Sequence, residues 1–198
     1  MDGTLLNSRH EVSNRFFELF QELKKRNIQF VAASGRQYHS MVEKLDEIKN
    51  DIIFISENGA FVKEGDEELS VTPIKQNLIQ ELLDIVDSID GGYAMLCGKY
   101  KSYLDGSSRS FLEEIKEYYS CYEVVNDYTT VTDEIVKIAV YHGISAEEFI
   151  YPKTKHLKEQ VKVKVSGPNW VDLNHIDAQK GNALQKVMGA YDILADEV

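Results

Sequence analysis

Two apolar runs, Ile28-Gln29-Phe30-Val31-Ala32-Ala33 and Ile52-Ile53-Phe54-Ile55, constrain the fold of this chain more than any other feature. Each follows a stretch with helical spacing of apolar residues. Val12, Phe16, Leu19, Phe20 and Leu23 precede the first, and a segment from roughly Tyr38 to Ile48 precedes the second. A strand that does not alternate is buried on both faces, and intervening helices supply the cover, so the pattern is that of a parallel sheet in an α/β protein. Local signals agree. Ser13 is placed to cap the first helix, Lys24, Lys25 and Arg26 suit its negative end, and Asn27 suits a left-handed stop.

The strand style then changes. Phe61 to Val71 reads as a hairpin turning at Glu64-Gly65-Asp66, and Leu78, Ile79, Leu82, Leu83, Val86 and Ile89 give a helix closed by Gly91-Gly92. Val161-Lys162-Val163-Lys164-Val165 alternates strictly, which implies an antiparallel sheet with one wet face. Its expected partner is Ile135 to Tyr141, an apolar row interrupted by Lys137. Ser145 opens a short helix broken at Pro152, and another helix is expected from about Ser108 to Tyr119. Trp170-Val171-Asp172-Leu173 reads as the return to the first sheet. The expected organisation is an α/β core built from residues 1–74 and 171–198, with an α+β domain inserted at 75–170.

With 198 residues, 43% of them hydrophobic, the chain can bury one or two cores. A net charge of −11 argues against nucleic acid or an anionic membrane as partner, since both require a basic face. No apolar run reaches spanning length and no basic-then-apolar leader opens the sequence, so the cytoplasm is the expected location. Cys97 and Cys121 lack C-x-x-C spacing and the five histidines lack metal-ligand spacing, so both sets read as packing or surface residues.

Three short motifs carry chemistry. In Asp2-Gly3-Thr4-Leu5-Leu6, Gly3 permits a tight turn that brings main-chain N–H groups toward a ligand, beside a carboxylate and a hydroxyl. Ser34-Gly35-Arg36 stands at the carboxyl end of a buried strand, where open α/β sheets bind ligands; a hydroxyl and a guanidinium suit phosphate oxygens. The plainer alternative there is a strand-to-helix turn with Ser34 as cap. Lys180-Gly181 at a helix start puts an ammonium beside the positive end of a helix dipole, against the alternative of a solvated surface lysine. Asn58-Gly59, taken by itself, reads as a plain turn.

Together these stretches resemble the haloacid dehalogenase (HAD) superfamily of phosphatases, in its Cof-type branch with a C2 cap between the second and third motifs. Asp2-Gly3-Thr4-Leu5-Leu6 is similar to the latter part of D-x-D-G-T-L-L, with the first Asp falling ahead of Met1; Ser34-Gly35-Arg36 resembles the second motif; Lys180-Gly181-Asn182-Ala183-Leu184 resembles the third. The resemblance implies a Rossmann-like core with a partial parallel sheet and an inserted α+β cap. It also implies hydrolysis of a small phosphorylated metabolite, with sugar phosphates leading, through an aspartyl-phosphate. In that scheme Asp2 serves as general acid and base and, through its backbone carbonyl, as a ligand of Mg²⁺; Ser34 and Lys180 hold the phosphoryl oxygens; Gly3, Thr4, Gly35, Arg36 and Asn58 face the substrate. The family's fourth motif, G-D-x-x-N-D, has no counterpart in the sequence. The chain as written is therefore expected to be inactive or a fragment, and the rival expectation is a non-catalytic binding module. A phosphotransferase on the same scaffold is a third option. Nine of the eleven tyrosines lie between Tyr93 and Tyr151, which suits either a sugar pocket or a small aromatic-rich sheet.

Overall fold

The computed structural model describes residues 1, 3–106, 111–116 and 118–198. Helix α1 (Asn14–Lys25) begins at Ser13, whose hydroxyl accepts a hydrogen bond from the Phe16 N–H at 3.3 Å, and stops before Asn27 at φ 54°. Strand β1 (Val31–Ala33) runs parallel to β2 (Ile53–Ser56), with α2 (Tyr38–Lys44) and a 3-10 turn (Asp46–Ile48) between them. Strands β3 (Phe61–Glu64) and β4 (Glu67–Val71) add an antiparallel hairpin, giving the order β1-β2-β3-β4. Every residue of β2 is buried. Phe54 packs with Phe20, Met41, Leu45 and Ile48 on one face, while Ile53 and Ile55 meet Ala183 and Val187 on the other. The unalternated sequence of this strand follows from that double cover.

Helix α3 (Gln76–Asp87) leads into a six-stranded sheet ordered β7-β6-β5-β8-β10-β9. Its strands are β5 (Gly92–Gly98), β6 (Ser102–Asp105), β7 (Tyr122–Val125), β8 (Ile135–His142), β9 (Val161–Gly167) and β10 (Trp170–His175). All neighbours are antiparallel except β6 and β7. One face packs on α3 and on a helical stretch around Ala146, Ile150 and Leu157, which includes α5 (Tyr151–Thr154). The other face packs on Phe111, Ile115 and Tyr119, from and beside α4 (Leu112–Ile115). Helix α6 (Lys180–Ala190) then covers the first sheet.

Three expectations need correction. Strand β8 does not pair with β9, because β10 lies between them. The same finding removes Trp170–Leu173 as a return to the first sheet. Only two residues, Pro168 and Asn169, separate β9 from β10, and so short a connection allows only an antiparallel hairpin. Pro152 does not break a helix; it occupies the first turn of α5, where its missing N–H costs nothing. Of the helix expected over 108–119, Leu112–Ile115 is helical and Ser108 lies outside the described residues. Among the described residues no helix is long and apolar enough to cross a membrane.

Candidate active site

After β2 the backbone takes three successive left-handed residues, Glu57 (φ 49°), Asn58 (φ 63°) and Gly59 (φ 101°). Two non-glycine residues in that region store strain, which the surroundings must hold in place. They do so by hydrogen bonds to the turn after β1: the Asn58 N–H donates to the Ser34 carbonyl (3.1 Å) and the Glu57 N–H to the Arg36 carbonyl (3.0 Å). The two turns therefore form one unit. A Cβ on Gly35 would stand 2.6 Å from Asn58 Oδ1, so this approach requires glycine. A Cβ on Gly59 would stand 2.4 Å from the Gln179 carbonyl carbon, so the start of α6 sits directly on the turn.

The result is a cavity of about 410 Å³ between the two sheets. From the first-sheet side it is lined by Ser34, Gly35, Arg36, Asn58 and Lys180, and from the second-sheet side by Tyr118, Tyr119, Lys137, Lys164 and Asp172, among others. Ser34 Oγ accepts from the Arg36 N–H at 3.2 Å. The Arg36 guanidinium donates to Ser40 Oγ (3.3 Å), meets His10 Nδ1 (3.3 Å) and lies 5.0 Å above the Tyr118 ring. Lys180 is exposed at the cavity mouth, the first residue of α6.

Beneath the cavity runs a buried polar network. Asn58 Nδ2 donates to Asp172 Oδ2 (2.7 Å) and to Asn174 Oδ1 (3.0 Å), while Ser166 Oγ donates to Asp172 Oδ1 (3.0 Å). Lys137, from the middle of β8, places Nζ 2.6 Å from Glu57 Oε2 and 3.0 Å from the Gly35 carbonyl. Burial opposes charge on Lys137, yet the Asp172 and Glu57 carboxylates outweigh it and hold the ammonium well above its ordinary value. Burial pushes the Glu57 carboxyl up, against the pull of Lys137. The Tyr119 hydroxyl is likewise raised by burial.

Of the residues singled out in the sequence, Ser34, Gly35, Arg36, Asn58 and Lys180 come together at this cavity. Gly3 (φ 67°) and Thr4 are exposed and are not among its lining residues, although Met1 and His10 are. Asp2 lies outside the described residues. Among the described residues no cluster of three or more His, Cys, Asp or Glu could hold a metal ion. Asp172, which lines the cavity, accepts from Asn58 and Ser166, and Glu57 Oε2 pairs with Lys137. The described residues alone thus hold no such cluster, and Asp2, the magnesium donor expected from the sequence, lies outside them. Sequence reasoning missed His10, Lys164 and Asp172, which had no local signal. Lys137 did have one, as the lone charge in the apolar row of β8. The tyrosines divide between both readings: Tyr118 and Tyr119 line the cavity, whereas Tyr93 and Tyr141 pack around Phe111 in the sheet core.

The profile of the haloacid dehalogenase-like hydrolase family matches residues 1–198, and the chain belongs to that family. It is 26% identical over 205 residues to the 5-amino-6-(5-phospho-D-ribitylamino)uracil phosphatase YbjI of Escherichia coli (strain K12), an alignment spanning 100% of this chain and 74% of the relative. Among solved structures it resembles SMU.1108c from Streptococcus mutans UA159 with a TM-score of 0.86 and 24% identity, over 97% of this chain and 74% of that one. It also resembles the HAD subclass IIB sugar phosphatase BT4131 with a TM-score of 0.80 and 16% identity, over 100% of this chain and 76% of that one. The fold is that of a HAD core carrying a cap domain.

Proposed function

We propose that the protein is a phosphoric monoester hydrolase of small phosphorylated metabolites, with sugar phosphates as the favoured class. The observation that carries this reading is the convergence of Ser34, Asn58 and Lys180, from three separate elements, on one cavity. An ester phosphate seated there meets the Ser34 hydroxyl and the Lys180 ammonium. The N–H groups at the start of α6 add positive potential on the same side. Groups fixed in place before reaction stabilise developing oxyanion charge without reorganisation. Asp2 takes the role of general acid toward the leaving alcohol and then of base toward water. The roles assigned to this chain in an aspartyl-phosphate route are those of Asp2, Ser34 and Lys180. Magnesium, when bound, neutralises phosphate charge; Asp2 is the donor expected from this chain. The opposite wall carries Asp172, Ser166 and Lys164 beside Tyr118 and Trp170, a mixture that suits the hydroxyls and carbon face of a polyol or sugar. The named substrate of the E. coli relative, a phosphorylated ribityl chain on uracil, has that character.

The test is phosphate release by the protein as its own cell makes it, across a panel of sugar and ribityl phosphates, with magnesium and with chelator. Release that requires magnesium and falls roughly 10²–10³-fold in Ser34→Ala and in Lys180→Ala is expected. Release retained in both variants sinks the assignment. Binding of a sugar phosphate with no release makes the protein a binding module instead.

A further inference from the structure

Lys137 is a costly residue to place in the centre of a six-stranded sheet. Its neighbours along β8 are Ile135, Val136, Ile138, Ala139 and Val140, all buried, and its own side chain is 2% exposed. An apolar residue would serve the packing as well or better, because replacing a buried ion pair by apolar groups is often neutral or stabilising. The ammonium is therefore to be explained by what it touches on the other side of the cavity.

It touches one peptide group of the turn after β1. Nζ donates to the Gly35 carbonyl at 3.0 Å, and the N–H of that same peptide, on Arg36, donates to Ser34 Oγ at 3.2 Å. One amide thus stands between a buried positive charge and the Ser34 hydroxyl. Hydrogen bonds in series polarise one another, and more so in a dry, low-dielectric site. A cation on the carbonyl makes the Arg36 N–H a stronger donor. A hydroxyl oxygen that accepts a stronger bond becomes a better donor through its own hydrogen. Among the described residues nothing accepts that hydrogen, and Ser34 lines the cavity. Glu57 ties the arrangement together from below, pairing with Lys137 while its backbone N–H holds the Arg36 carbonyl.

We propose that Lys137 is a positioning residue which, through the Gly35–Arg36 peptide, fixes and polarises the Ser34 hydroxyl as the donor to the phosphoryl group. The inference rests on the phosphatase reading of the cavity. It assigns to the cap a part in the chemistry of the core turn, apart from any contact with the leaving group.

The experiment is a double-mutant cycle on the protein from its own cell. Lys137→Met is combined with Glu57→Gln so that the carboxylate in direct contact with Lys137 is not left buried without its cation, and the pair is introduced with and without Ser34→Ala. In the Ser34 background kcat for a sugar phosphate is expected to fall about tenfold, the scale of one charge-assisted hydrogen bond, with KM changed less than about twofold. In the Ser34→Ala background the same substitutions should change kcat less than about twofold, because the group they act through is gone. Losses of equal size in both backgrounds, or an undiminished kcat in the first, overturn the inference. Should the methionine variant fail to fold, Lys137→Gln with Glu57→Gln keeps polar volume in place and serves the same comparison. Absence of phosphate release by the unsubstituted protein overturns the phosphatase reading and this inference with it. A normal wild-type rate with additive losses overturns this inference alone.

Discussion

Gln37 pairs with the backbone of Cys121 as a second peptide group would. Its amide oxygen accepts from the Cys121 N–H at 3.2 Å, and its amide nitrogen donates to the Cys121 carbonyl at 2.7 Å and to Ser102 Oγ at 3.0 Å. The side chain is buried, and it follows Ser34-Gly35-Arg36 directly in sequence. The turn after β1 is thereby fastened to the β6–β7 side of the cap sheet. Gln37→Ala is expected to cost about 1–3 kcal/mol, since it leaves partners unsatisfied. Amide hydrogen exchange at Cys121 should quicken while exchange in β2 is unaffected. Unchanged exchange at Cys121 would show that the clasp holds nothing.

Gly59 and Gly65 offer a controlled comparison. Both are left-handed, at φ 101° and 51°, but a Cβ on Gly65 meets open space whereas one on Gly59 meets the Gln179 carbonyl carbon at 2.4 Å. Gly65→Ala should cost about 1 kcal/mol from backbone strain alone. Gly59→Ala should cost at least about 2 kcal/mol more through overpacking, and should lower activity by displacing Lys180. Denaturant titration of the two variants decides it; equal losses would mean that the start of α6 yields freely.

The raised carboxyl of Glu57 has a pH signature. Below its ordinary value of 4.5 the group is protonated both folded and unfolded. As pH rises, the unfolded chain ionises first and binds fewer protons than the folded one, so the native state loses stability until the folded value is passed. Glu57→Gln lacks this titration. The variant should therefore match the wild type in acid and gain on it as pH rises above 4.5. Thermal melts from pH 4 to 8 measure this. A difference that is constant across the range would place Glu57 at its ordinary value.

The two thiols should react differently. Burial pushes Cys97 up to about 12, while Cys121 is only half-buried. The thiolate is the reacting species. A disulfide reagent at pH 8 is expected to label one thiol per folded chain, at Cys121, and two after denaturation. Prompt labelling of Cys97 would contradict its burial.

The sequence yielded most where local rules decide structure. Ser13 and Asn27 bound α1 as their cap chemistry requires, and the unalternated Ile53–Ser56 is the strand with both faces covered. It failed at β10, where strand pairing is set by a two-residue connection rather than by the strand's own pattern. The first-sheet half of the cavity was legible because Ser34, Asn58 and Lys180 each stand at the end of a recognisable element. The cap half was not. Asp172 and Lys164 look like the outward residues of any alternating strand, and only the placement of one sheet over another turns them inward. Lys137 stood out as an irregularity, but no sequence rule says what a buried charge will face.

The chain leaves the first sheet after Val71 and the second after His175, and both crossings border the same groove. An insert whose ends lie side by side can be lengthened, replaced or removed without rethreading what it is inserted into. On the function proposed above, an exchanged insert would have to keep two contacts with the turn after β1, a cation on the Gly35 carbonyl and a peptide edge against Gln37.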